Sequence, residues 1–237
     1  MLEINYLEIV KMLLDKLISQ EEQIKVGAKR MANSILQGGI IHAFGSGHSA
    51  LIAKEISGRA GGLVPVNVIP EPSDGMAERV EGYGATLLNW YAQRYRLNPG
   101  EVVIVVSTSG RNPLPIEIAL GAKERGLYTI AITSLPYSKR VSSRHSSGKR
   151  LFEVVDLVLD TGVPPGDAVV NIPKIGEKAG PVSTIIGGLL ANMLILCTIE
   201  EIVNQGVIPP ILMSQNLDEA DQHNRILKEK YRDRLSW

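Results

Sequence analysis

The sequence predicts an α/β fold, a doubly wound parallel sheet of five strands with helices on both faces. Three observations carry this. Strand and helix patterns alternate about four to five times along the chain. The run Val102–Val106 is β-branched on both faces, as a buried central parallel strand is. Finally, two strands end in glycine- and hydroxyl-containing turns that open onto helices. Ile40–Phe44 runs into Gly45-Ser46-Gly47-His48-Ser49. About sixty residues on, Val102–Val106 runs into Ser107-Thr108-Ser109-Gly110.

In chain order, Leu7, Val10, Leu14 and Leu17 recur at helical spacing over residues 3–18. Ser19 with Glu22 reads as a capping box that starts a second helix, which runs to about Leu36 and stops at Gly38-Gly39. After the first strand, Ser49–Ile56 is a helix stopped by Gly61-Gly62. Leu63–Ile69 reads as a second strand, placed towards an edge because Pro65 lacks a donor. Leu87, Leu88, Tyr91 and Tyr95 give a helix over about 85–95, and Asn98-Pro99-Gly100 a turn. Glu101–Val106 is the third strand. Pro113 and Pro115 suit the first turn of a helix that ends at Gly126. Leu127–Thr133 is the fourth strand, 134–150 a loop rich in serine and basic residues, and Val154–Leu159 the fifth strand. Thr161–Gly180 reads as an irregular excursion. A long apolar helix follows from Pro181 to about Asn204, and a last one over about Asp218–Arg232. The expected organisation is a single domain with its core at about 35–205, an N-terminal helical extension over 1–37 and a C-terminal extension over 206–237.

Composition excludes several classes. The 25 basic residues balance 25 acidic ones, without the basic excess of a nucleic-acid binder. A single cysteine, Cys197, permits no internal disulfide and fits a reducing, cytoplasmic setting; in its apolar helix it reads as a packed core thiol. Glu3 and Glu8 are foreign to a signal peptide. Val182–Ile199 approaches the length of a membrane span, but Ser183, Thr184, Gly187, Gly188, Asn192 and Thr198 interrupt it and Glu200-Glu201 follow at once. A central helix or a subunit interface is the expectation, with no membrane partner.

The two turns carry the chemistry. A strand, a glycine turn and a helix start aim free N–H groups at one point outside the carboxyl ends of the strands, where anions bind. Ser107, Thr108 and Ser109 add hydroxyls, and together these donors satisfy a phosphate monoester without a lysine. Gly45-x-Gly47-x-x-Ala50 also fits a dinucleotide fingerprint with Glu71 as the ribose-binding acid, but that reading gives the second loop no role. His42, inside a strand, is a core histidine. His48 sits at a helix start, open to an anion contact. His145 reads as part of a solvated loop, and His223 as the partner of Glu219 on one helix face. Arg111 and Lys139 read as surface charge. No spacing matches a dedicated zinc or calcium site.

These residues resemble the sugar isomerase (SIS) domain family of phosphosugar isomerases, etherases and regulators. Ser107-Thr108-Ser109-Gly110-Arg111-Asn112 is similar to its phosphate loop, and Phe44-Gly45-Ser46-Gly47-His48-Ser49 to its sugar-contacting first loop. Ala53-Lys54-Glu55-Ile56-Ser57-Gly58-Arg59 resembles the helix of phosphoheptose isomerases that carries a catalytic glutamate, here Glu55. The chain also resembles a bacterial group marked by Arg59-Ala60-Gly61-Gly62-Leu63-Val64-Pro65 and Asp221-Gln222-His223-Asn224. The resemblance implies a flavodoxin-like sheet, a sugar phosphate in the cleft, no cofactor and no catalytic metal, and a homodimer or homotetramer with sites between subunits. It implies an aldose–ketose isomerase, in which Glu55 moves a proton beside a carbonyl. The late helix lacks the histidine those isomerases carry, so the acid is sought at His48, His145 or His223. An etherase or lyase using Glu71 or Glu78 and a non-catalytic phosphosugar sensor are the alternatives.

Overall fold

A computed structural model describes residues 1–237. Helices α1 (Leu2–Leu17) and α2 (Glu21–Leu36) precede β1 (Ile41–Gly45) and α3 (Ser49–Glu55). Then come β2 (Val66–Val68), α4 (Tyr83–Tyr95), β3 (Val102–Val106), α5 (Pro113–Glu124) and β4 (Tyr128–Thr133). A single-turn helix α6 (Leu135–Ser138) leads to β5 (Leu157–Asp160). The chain closes with strands β6 (Ala168–Asn171) and β7 (Lys178–Pro181) and helices α7 (Ser183–Asn204) and α8 (Ala220–Glu229). The main sheet is parallel in the order β2-β1-β3-β4-β5, the flavodoxin-like arrangement. Its switch point lies between β1 and β3, so the crevice for a ligand opens where Gly45 and Val106 end their strands.

Each strand of this buried sheet feeds two cores. In β3, Val102, Ile104 and Val106 face a layer built from α1, α2, α3 and α7, whereas Val103 and Val105 face α4 and α5. That is why the strand is apolar at every position. Helix α7 has the length and hydropathy of a membrane span, yet Ile186, Leu190, Ala191 and Leu194 are fully buried in the first core. It is a core helix of the sheet fold.

Four local expectations change. Ser19 does not cap α2. Its hydroxyl donates back to the Lys16 carbonyl at 2.7 Å, and a 3-10 turn over Ile18–Gln20 carries α1 almost directly into α2. The second strand is shorter than its apolar run, because Pro65 cannot donate and the Val64 N–H is taken by the Pro210 carbonyl at 2.8 Å. The excursion over 161–180 contains the antiparallel pair β6–β7, packed under α1 with the Tyr6 hydroxyl on the Pro181 carbonyl at 2.6 Å. His223 does not pair with Glu219: its Nε2 lies 2.9 Å from the Ile211 carbonyl and donates to it.

A buried polar chain ties the C-terminal segment to the amino-terminal side of the sheet. The Ser236 N–H and hydroxyl donate to Asn67 Oδ1, and the Asn67 amide donates to the Tyr91 hydroxyl at 2.7 Å. The Tyr91 oxygen lies 2.8 Å from His42 Nδ1, and His42 Nε2 lies 3.1 Å from Glu101. The Arg234 guanidinium donates to Glu101 at 2.6 Å. His42 is thus the core histidine the sequence suggests.

Candidate active-site cleft

A cleft of about 540 Å³ opens at the switch point. It is lined by Ser46, Gly47, His48 and Ser49 after β1, by Ser107, Thr108, Ser109 and Asn112 after β3, and by Glu78, Tyr137, Asp167, Ser183 and Thr184. The two loops picked out in the sequence therefore meet. The β3 loop is wired from behind. Ser134 N–H donates to the Thr108 carbonyl, Ser138 Oγ to the Ser109 carbonyl and Leu151 N–H to the Gly110 carbonyl, at 3.0, 2.7 and 2.8 Å. The Ser107 N–H is held by the Ile132 carbonyl at 3.1 Å, whereas the N–H groups of Thr108, Ser109 and Gly110 have no backbone acceptor and remain for a ligand. The hydroxyls of Ser107, Thr108 and Ser109 likewise have no partner within the chain.

Gly45 and Gly110 shape the turns rather than line the cleft. A Cβ at Gly45 would overlap the Ser49 carbonyl, so only glycine lets α3 start directly above the end of β1. Gly110 has φ +58° and packs against Ser138 and Leu151. Helix α7 presents its amino end to the same cleft, capped by Asp167, whose carboxylate accepts the Ser183 N–H at 2.7 Å and the Ser183 hydroxyl at 2.6 Å. Asp167, Tyr137 and Thr184 carried no sequence signal. Asp167 reaches the cleft from the turn before β6, Tyr137 from α6 and Thr184 from the amino end of α7.

The catalytic candidates do not converge within the chain. His48 is exposed at the start of α3 and lines the cleft. Glu55 lies at the far end of the same helix, in a separate pocket of about 290 Å³ with Gly61, Gly62 and Leu196. There it pairs with Arg59, and its carboxylate accepts from Asn192 Nδ2 at 3.1 Å. His223 belongs to α8, bonded to the Ile211 carbonyl, and does not line the cleft. Of the other carboxylates, Glu78 lines the cleft and Glu71 does not. Glu71 instead builds the loop beneath it, accepting the Ser73 and Gly75 N–H groups at 2.8 and 2.7 Å. Burial acts to raise its pKa, but these donors and the Ser73 and Tyr83 hydroxyls outweigh it and hold the carboxyl below its usual range. That commitment leaves Glu71 no ribose to hold.

His145 is more enclosed than a solvated loop position. Its ring lies 3.6 Å from Glu81 and 3.9 Å from Glu117, with Nδ1 2.8 Å from the Ser147 hydroxyl. Glu117 already accepts the N–H groups of Gly82, Gly84 and Ala85, which makes it the cap of α4. The trio reads as a helix cap with a histidine beside it.

Comparison with known proteins now bears on this geometry. The family described as SIS domain matches residues 5–134. The chain belongs to the SIS domain family. A UPF0309 protein of Geobacillus kaustophilus is 42% identical, over 91% of this chain and 88% of that protein. Among solved structures, a phosphoheptose isomerase from Francisella tularensis superposes with a TM-score of 0.55 at 20% identity, covering 81% of this chain and 96% of that one. The Vibrio vulnificus NanR protein complexed with ManNAc-6P gives 0.51 at 14% identity, covering 95% and 67%. At such identities the structures share the SIS fold with this chain.

Proposed function

We propose that the cleft binds a sugar phosphate, with its phosphate on the Ser107–Gly110 loop and its sugar against Ser46–Ser49. The observation that carries this is the loop at the end of the central strand. It has three unpartnered hydroxyls, and its carbonyls are turned away from the ligand. Neighbours of the same fold include a phosphoheptose isomerase and a protein complexed with ManNAc-6P. The chain then acts as a single-domain phosphosugar protein, its α1–α2 extension sharing the first core and its C-terminal segment the edge of β2.

The activity we infer is aldose–ketose isomerisation. A carboxylate takes the proton from the carbon beside the carbonyl and returns it to the neighbouring carbon, while an acid serves the oxygen. Glu55 is the carboxylate and His48 the acid. Because Glu55 sits outside its own protomer's cleft, this mechanism uses Glu55 at the cleft of a second copy. Helix α7 supports such an assembly. Ile185, Leu189, Leu196 and Val203 are exposed along it, and with Asn192 and Ile199 they are spaced alternately by four and three residues, the pattern of a helix–helix seam. Asn192 and Leu196 also line the Glu55 pocket. Leu189→Glu with Leu196→Glu is expected to convert the assembly to 25.8 kDa protomers in sedimentation; an unchanged mass would place any interface elsewhere.

One observation favours a second reading. Glu78, not Glu55, is the glutamate inside the cleft, as an etherase or lyase would use it. The deciding experiment is thermal shift against a panel of sugar phosphates and NAD, then turnover with whichever ligand binds. A saturating ligand at a hundred times its Kd adds about 2.7 kcal/mol, or roughly 5–10 °C for a chain of this size. Loss of turnover with binding kept in Glu55→Gln supports the isomerase. The same loss in Glu78→Gln alone supports the lyase, and binding without turnover supports a sensor. A rise with NAD and none with any sugar phosphate would end the phosphosugar reading.

A further inference from the structure

The rim of the cleft carries positive charge that the phosphate loop does not need. Arg79, Arg111 and Arg144 come from three separate segments, and the backbone gathers them. The Arg144 N–H donates to the Arg111 carbonyl at 2.8 Å, and the Leu114 N–H to the Glu78 carbonyl at 3.3 Å, which sets residues 78–79 and 144 on either side of Asn112. Arg144 Nη1 donates to Asn112 Oδ1 at 2.9 Å, and Asn112 lines the cleft. The Arg111 guanidinium is held by the Ser142 carbonyl and hydroxyl at 3.0 and 3.3 Å. None of the three has a carboxylate within 4.0 Å, although seven other lysine and arginine side chains do. Burial, then the charges of Arg111 and Arg79, push Arg144 below its ordinary pKa, opposed by Glu78.

Like charges gathered with no carboxylate in contact, and only Glu78 near enough to offset them, repel one another, and an anion placed among them lowers that cost. The phosphate of a simple sugar phosphate is not that anion. The cleft lining contains no lysine or arginine, and the hydroxyls and N–H groups of Ser107–Gly110 already supply its donors.

We propose that Arg79, Arg111 and Arg144, beside Asn112, form a second anion subsite. The ligand is then a sugar phosphate that bears a further anionic group, a carboxylate or a second phosphate, on the Asn112 side of the cleft. This rests on the phosphosugar reading above and adds the charge of the substrate to it. Guanidinium forks suit either group.

The test is calorimetric titration of the full chain with two matched pairs. Fructose 6-phosphate against fructose 1,6-bisphosphate differs by a phosphate, and glucose 6-phosphate against 6-phosphogluconate by a carboxylate. In at least one pair the doubly anionic member binds about tenfold tighter or more, and the pair that shows it identifies the second group. Arg144→Ala, and separately Arg79→Ala, reduce that ratio below about threefold through loss on the doubly anionic member. The exposed Arg79 side chain makes no hydrogen bond within the chain, so its variant keeps the fold. Equal affinities within both pairs overturn the subsite and leave the phosphosugar reading standing. So does an equal loss for both members in the variants, which would make the arginines part of the first phosphate's field. No binding by any of the four overturns the subsite, and the phosphosugar reading falls with it when the wider sugar phosphate panel also fails to bind.

Discussion

Ser109→Ala lowers the affinity of the cleft for its sugar phosphate by about ten- to a hundredfold, and adding Ser107→Ala removes measurable binding. Each hydroxyl that bonds an ionised phosphate contributes about 1.5–3 kcal/mol, and 1.4 kcal/mol is a factor of ten. Neither hydroxyl has a partner inside the chain, so the variants keep the fold and the unliganded midpoint stays where it was. Calorimetry measures the affinity and a thermal melt without ligand checks the fold. An unchanged Kd in the double variant would move the phosphate off this loop and with it the whole assignment of the cleft.

Glu101→Ala costs about 3–5 kcal/mol of stability, because it leaves the Arg234 guanidinium, the His42 ring and the Ile40 and Asn98 N–H groups without their common acceptor. Glu101 and His42 are almost wholly buried. Burial alone would raise the Glu101 pKa, but the hydrogen bonds from His42, the Asn98 N–H and the Arg234 guanidinium outweigh it and hold the carboxyl at about 2. Burial lowers His42 from its ordinary 6.5, so the ring stays neutral in the folded chain. Both folded pKa values lie below the unfolded ones, so both groups stabilise the fold above their unfolded values and lose that contribution as the pH falls. The loss begins below pH 6.5 with His42 and continues from 4.5 towards 2 with Glu101. Urea melts across this range should show the slope, and Glu101→Gln should remove its acid part. A variant that melts with the wild type at neutral pH would show the chain to be dispensable.

Much of the fold was legible in residues whose local chemistry leaves little choice. Val102–Val106 is apolar on both faces, which only a strand between two layers requires. Pro113 and Pro115 suit a helix's first turn, and α5 begins at Pro113. Gly45 and the hydroxyl run Ser107–Ser109 marked the two loops, and the parallel order of β1 beside β3 brought them together as the strand-end rule requires. The misses have physical causes too. The pair β6–β7 is short and lies in a stretch interrupted by glycines and prolines, and it is stabilised by Tyr6 and α1 from far along the chain rather than by its own alternation. Ser19 carries the side chain of a helix cap, but its hydroxyl found a nearer carbonyl at Lys16.

The sequence by itself determined the layered sheet and the two hydroxyl-bearing turns that meet in the cleft at the strand ends, because periodicity and turn chemistry are local. Tertiary structure decided which side chains share a site. It put Glu55 a helix length away from His48, next to the exposed seam of α7, and took Glu71 and His223 into backbone hydrogen bonds. It brought Asp167 to the amino end of α7 and drew Arg79, Arg111 and Arg144 together across Asn112. Those meetings depend on strand order and loop closure between residues distant in sequence, which no local pattern encodes.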